Sequence, residues 1–203
     1  MEKRHLVFDS KFETRAEDGE KRIEGYFAVF GSDYIIGDGM SESIAPNAFD
    51  ETLGDDIRAL INHDTTLVLG RTSARTLTLN VDSRGLWGSI LINPNDQDAM
   101  NAYARVERGD VSQCSIGFDI LAEDTEYSGA DVHWTIEKIR LYEVSICTFP
   151  AYQETEVKAR TRDLEDMRKR EAEAEKAKLT AWREATKKRL KGESDGTESP
   201  DAE

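Results

Sequence analysis

The chain has little of what most chemistries require. Of its 203 residues only two are cysteine, Cys114 and Cys147, and only three are histidine. Each cysteine sits inside an apolar run, which makes no disulfide framework and reads as a pair of buried thiols in a reducing compartment. No spacing of Cys and His marks a structural zinc site, so neither metal nor cofactor is expected. No Gly-Lys-Ser or Gly-Lys-Thr closes a glycine-rich loop, which excludes a phosphate loop, and Gly-x-Ser-x-Gly fails because Gln113 stands where its first glycine would. Acids are numerous, yet no pair reads as a glycosidase couple. There is no run of about 18 apolar residues to span a membrane. Met1-Glu2-Lys3-Arg4-His5 leads into no long apolar stretch, so a soluble protein without a signal peptide is expected. Basic residues are also short, 27 against 41 acids for a net charge of −14, which argues against nucleic-acid binding.

The residues present divide unevenly. Residues 1–157 hold alternating apolar runs and most of the aromatics, at a net charge of −15; residues 158–191 carry +6 and residues 192–203 carry −5. The first segment is expected to be one domain, the second a charged helical tail, and the third a disordered acidic terminus. The tail helix reads either as a solvated face of mixed charge or as a basic island that docks on an acidic partner. Its apolar positions (Leu164, Met167, Ala174, Leu179, Trp182, Leu190) are too irregular for a coiled coil.

Within the domain, Arg22–Phe30, Ile57–His63, Thr76–Asp82, Leu86–Ile92, Val111–Leu121 and His133–Thr148 read as strands, the last long enough for an internal bulge, with Ser83-Arg84-Gly85 as a hairpin turn. Ile35–Gly39 reads as a loop and Pro46–Phe49 as a short helix. A longer helix follows Asn93 as its cap, with Pro94 in its first position, an apolar stripe of Ala99, Ala102, Tyr103 and Val106, and Gly109 as its stop. This order predicts an α+β domain built on a mostly antiparallel sheet or barrel.

Three residues could form a catalytic set. Ser115 lies on the less apolar face of its strand beside Gly117, while Cys114, Ile116, Phe118 and Ile120 face the other way. A half-buried structural serine fits the same pattern. His63 ends a strand before Asp64 and a threonine-rich turn, and is the best general base of the three histidines, since His5 falls in a mobile terminus and His133 in a surface or packing position beside Trp134. Glu143 shares a face with Ile139, Leu141, Ser145 and Cys147, where a carboxylate is costly unless a partner such as an imidazole N–H meets it. An edge-strand glutamate reaching solvent is the plain alternative.

Several short segments, taken in order, carry a resemblance. They are Glu24-Gly25-Tyr26-Phe27-Ala28-Val29-Phe30, Ile44-Ala45-Pro46-Asn47-Ala48-Phe49, Asn62-His63-Asp64 followed by Leu69-Gly70, Ser115-Ile116-Gly117-Phe118, Glu143-Val144-Ser145-Ile146, and Pro150-Ala151. Over about residues 1–155 the chain resembles the prohead (capsid maturation) proteases of tailed bacteriophages, a family related to the herpesvirus assemblins. The resemblance implies a serine endopeptidase with an assemblin-like, barrel-like core flanked by helices, Ser115 as nucleophile, His63 as base and Glu143 as the orienting acid, with adjacent Asp64 as a rival orienter. It places oxyanion donors among backbone N–H groups, with Phe149-Pro150-Ala151-Tyr152 as the candidate loop. It further implies the major capsid protein and its scaffolding segment as partners and substrates, cleavage of the chain's own ends, and action inside the assembling procapsid in the host bacterial cytoplasm. Homo-oligomerisation is left open. The competing readings are a non-catalytic capsid-assembly or scaffolding protein and an unrelated hydrolase of small esters.

Overall fold

Alternation decides most of the architecture. The computed structural model describes residues 4–17, 19–129, 131–149 and 153–192, so the expected acidic terminus, 192–203, lies outside the described residues except for Gly192. Residues 1–157 and 158–203 form separate compact units.

The first unit contains two sheets. One is antiparallel: β2 (Glu13–Glu17), β3 (Glu20–Val29), β8 (Leu77–Val81) and β9 (Gly85–Ile92), in the order β2-β3-β9-β8. The other has seven strands. Its path runs from β1 (Arg4–Asp9) through β10 (Gln113–Ser128), β11 (Asp131–Cys147) and β5 (Met40–Ile44) to β4 (Tyr34–Gly37). In addition, β6 (Arg58–Ile61) pairs with β11, and β7 (Asp64–Arg71) with β6. This sheet is mixed, because both β5 and β6 run parallel to β11. The strand-dominated α+β class is as expected; the barrel is not found, since among the described residues neither sheet returns on itself.

Apolar faces from both sheets meet in one core around Phe27, Phe49, Phe118, Ile90 and Ile116, all without exposed surface. Each such side chain contributes about 1.5–3 kcal/mol on burial. The helix α1 (Gln97–Arg108) adds the expected stripe Ala99, Ala102, Tyr103 and Val106 to that core. Its cap is Asp96 rather than Asn93, because the Asp96 side chain accepts from the N–H groups of Asp98 and Ala99; Gly109, at φ 85°, ends it as expected.

Four local expectations are corrected. Ile35, Ile36 and Gly37 of the expected loop belong to strand β4, held by the neighbouring β5. Pro46–Phe49 forms successive turns closed by Ala48 N–H to Ala45 O and Asp50 N–H to Asn47 O, not a helix. His5 belongs to β1, opposite Gly117, instead of lying in a loose end. The threonine-rich segment after His63 is strand β7, not a turn.

In the second unit, α2 (Gln153–Gly192) is a 40-residue helix whose start belongs to the first unit's sequence. Leu179 and Trp182 are exposed on it.

Candidate active site

The site is built on the β10–β11 pair and on the β6–β7 hairpin beside it. In the antiparallel register Ser115 lies opposite Ser145 and Gly117 opposite Glu143. Opposed residues share a face, so Ser115, Gly117, Glu143, Ser145 and Cys147 project together, away from the core residues Cys114, Ile116, Val144 and Ile146. The sequence reading put Ile139 and Leu141 beside Glu143. The structure removes them. Past Gly117–Glu143 the register jumps to Phe118–Leu141, leaving Tyr142 as the extra residue of a bulge, and Leu141 and Ile139 turn into the core.

His63 arrives by a two-residue turn. β6 ends at Ile61, β7 starts at Asp64, and those two residues pair, leaving Asn62 and His63 as the whole connection. Both have positive φ, 52° and 61°. Consecutive left-handed residues match the twist of a tight hairpin, and Asn-Gly is the usual pair; a histidine in the second place is strained by its Cβ. The turn is clamped to β11. Asn62 N–H donates to Ile146 O at 2.9 Å, and Thr148 N–H donates to Asn62 Oδ1 at 2.8 Å. His63 N–H donates to Ser145 Oγ at 3.2 Å. Since β6 runs parallel to β11, the turn is delivered to the end of β11 that carries Glu143, Ser145 and Cys147.

The imidazole and the carboxylate meet there. His63 Nδ1 is 2.5 Å from Glu143 Oε1, and the other carboxylate oxygen, Oε2, accepts from Ser145 Oγ–H at 2.6 Å. An ionised carboxylate only accepts, so Nδ1 carries the proton, and the atom left to act as a base is Nε2. Glu143 is 8% exposed and Ser145 and Ser115 are fully buried. Gly117 leaves the space the carboxylate fills, for a Cβ there would run into Glu143 Oε1.

Ser115 Oγ makes no hydrogen bond among the described residues. A buried hydroxyl without a partner is unusual, and a catalytic role is one explanation for it. His63 Nε2 faces Cys147 Sγ at 3.9 Å. A cysteine beside a histidine can itself be a nucleophile, but burial, and then the Glu143 charge, push the Cys147 thiol up to about 12. It stays protonated at neutral pH and is a poor nucleophile.

The remaining candidates fall elsewhere. Asp64 turns to Thr66, accepting from its N–H at 2.8 Å and its hydroxyl at 2.6 Å. Those two bonds hold its carboxyl below the usual range. His133 bridges β11 to β5, its two ring nitrogens meeting Ser41 Oγ at 2.8 Å and Ser43 Oγ at 2.9 Å. Of the loop expected to supply oxyanion donors, only Phe149 lies among the described residues.

A histidine whose Nδ1–H is held by a buried carboxylate matches the orienting half of a serine-peptidase site. The model of the caudovirus prohead serine protease family matches residues 10–170. The chain belongs to that family. It is 30% identical over 160 residues to the prohead protease of Enterobacteria phage HK97, covering 76% of this chain and 67% of that one. Among solved structures it is similar to the capsid assembly protease of bacteriophage T4, with a TM-score of 0.44 and 10% identity over 74% of this chain and all of the other. The chain is a serine peptidase of the bacteriophage prohead class. Family membership agrees with the chemistry of Cys147, which leaves the nucleophile to a hydroxyl, and it displaces the non-catalytic and small-ester readings.

Sequence reasoning missed two residues that shape this site. Ser145 was visible only as a neighbour on the Glu143 face. Asn62 carried a signal, since an asparagine between two strand-like runs is the usual first residue of a tight hairpin turn.

Proposed function

We propose that the chain is a capsid-maturation endopeptidase that cleaves the scaffolding segment of the major capsid protein, and its own ends, inside the assembling procapsid in the host cytoplasm. Ser115 is the nucleophile, His63 the general base and Glu143 the orienting acid. The observation that supports this best is the His63 Nδ1–Glu143 pair at 2.5 Å, made between residues 80 positions apart on the face that also carries Ser115. The order of the motifs, which this reading takes the phage enzymes to share with the assemblins, supports the same assignment of His63 and Ser115.

In the reaction, Ser115 Oγ attacks the scissile carbonyl carbon and its proton passes to His63 Nε2. The C–O bond forms, charge develops on the carbonyl oxygen, and Glu143 stabilises the imidazolium without taking its proton. Collapse of the intermediate breaks the C–N bond as His63 protonates the leaving amine. Water then repeats the attack and frees Ser115. Backbone N–H groups are the natural donors to the oxyanion. Nε2 faces Cys147, and Ser115 Oγ has no bond among the described residues, so the nucleophile–base contact has to be completed by a movement of the imidazole; such bonds often tighten only when substrate is bound. The +6 segment 158–191, with Leu179 and Trp182 exposed, supports a role in holding the enzyme against an acidic scaffold segment.

The test is intact-mass spectrometry of wild type and Ser115→Ala, each expressed alone and with the capsid protein. Fragments of either protein that appear with wild type and vanish with Ser115→Ala are expected. Uncut proteins in both arms, or identical fragments from the two, would sink the proposal.

A further inference from the structure

We infer that Ser145 is a positioning residue of this site, tying the base and the orienting acid into one unit. The inference rests on the Ser115–His63–Glu143 reading above. A hydroxyl has one proton and two lone pairs. At Ser145 both kinds of bond are in use: the proton goes to Glu143 Oε2 at 2.6 Å, and a lone pair receives the backbone N–H of His63 at 3.2 Å. Those roles cannot be exchanged, because the carboxylate only accepts and the N–H only donates. The hydroxyl therefore grips the His63 backbone and the Glu143 side chain at once.

Each contact removes a different freedom. Glu143 held through Oε1 alone could rotate about its terminal bond; the second bond at Oε2 fixes the carboxylate plane. His63 occupies a strained left-handed position, φ 61°, at the tip of its hairpin, and the bond from its N–H to Ser145 keeps the turn on β11. Ser145 also lies directly across from Ser115 in the β10–β11 register, so the same residue sits between the base and the nucleophile's strand. Its complete burial keeps water from competing for either bond. Any buried serine needs polar partners; at Ser145 both of them belong to the proposed reaction.

The experiment uses the full chain and an alkyl fluorophosphonate as probe. Its phosphorus bonds to Ser115 Oγ as fluoride leaves, and the Oγ proton passes to His63, so labelling needs the base but no peptide substrate. Ser145→Ala is expected to lower the maximal labelling rate about 100-fold, the scale of a 1 Å misplacement, with the half-saturating probe concentration unchanged. The far-downfield proton resonance of the His63 Nδ1–H···Glu143 bond should broaden or vanish with it. Ser145→Thr, which keeps the hydroxyl, should recover both readouts. Should Ser145→Ala fail to fold, Ser145→Cys conserves volume while offering only a weak donor, and the same two losses are expected at smaller amplitude. A wild-type rate and a sharp resonance in folded Ser145→Ala or Ser145→Cys would overturn the inference. The Ser115→Ala control separates the two ideas: it should abolish labelling and keep the resonance. Labelling that survives Ser115→Ala overturns the catalytic reading, and the resonance still decides whether Ser145 holds the imidazole.

Discussion

The two faces of the β10–β11 pair are made by the same backbone and serve opposite ends. On one, Cys114, Ile116, Val144 and Ile146 are sealed in the core with Phe118 and Leu141. On the other stand Ser115, Gly117, Glu143, Ser145 and Cys147, nearly as buried yet mostly polar. Burying polar groups costs free energy unless they are bonded, and here Glu143, Ser145 and His63 satisfy one another. Ser115 Oγ is the exception. The comparison teaches that burial alone does not mark a core: what separates the faces is whether side chains are held by contact area or by a closed set of donors and acceptors. The bulge at Tyr142 is the border, confining the polar set to the last five residues of β11.

The largest contrast comes from altering one residue on each face. Glu143→Gln should keep the fold and lower the rate of peptide-bond cleavage about 10⁴-fold, because an amide no longer enforces the Nδ1–H tautomer. Ile116→Ala should cost about 2–5 kcal/mol of stability in denaturant unfolding while its folded fraction keeps the wild-type rate. A Glu143→Gln enzyme of full activity, or a folded Ile116→Ala enzyme that is inactive, would erase the distinction.

Gly117→Ala tests the boundary from the opposite strand. The new Cβ collides with the Glu143 carboxylate, so cleavage should slow by about 100-fold, with a loss of thermal stability smaller than that of Ile116→Ala. The smallest effect concerns the turn. His63→Gly and His63→Ala both abolish the base, but glycine accepts a φ of 61° and alanine does not, so the glycine variant should be more stable by about 1 kcal/mol. Equal unfolding midpoints would mean that the left-handed turn is not kept in solution.

Much of this was legible where one strong pattern acts alone. The alternation around Ser115 and the stripe of α1 follow from periodicity, and Glu143 stood out because a carboxylate in an apolar strand requires a partner. The rest was hidden for physical reasons. An internal bulge in this strand was expected, but no residue type announces its place at Tyr142, where it reverses the alternation of β11. β7 is exposed at Thr65, Thr66 and Val68 and gets its order from β6, so its composition read as a turn. Asn62-His63 was obscured because histidine replaces the glycine that a tight turn prefers. Ser145 is an ordinary strand residue until the hairpin brings the His63 N–H to it.

Surface connections usually absorb an added residue at little cost. The connection that carries His63 has no such slack, for Ile61 and Asp64 already pair and only two residues lie between them. A third residue inserted there would change the turn geometry and carry the imidazole off the Glu143 carboxylate, whatever its side chain. The reach of the proposed base is thus set by a residue count, and a change of length in this hairpin should abolish activity as surely as replacing His63 itself.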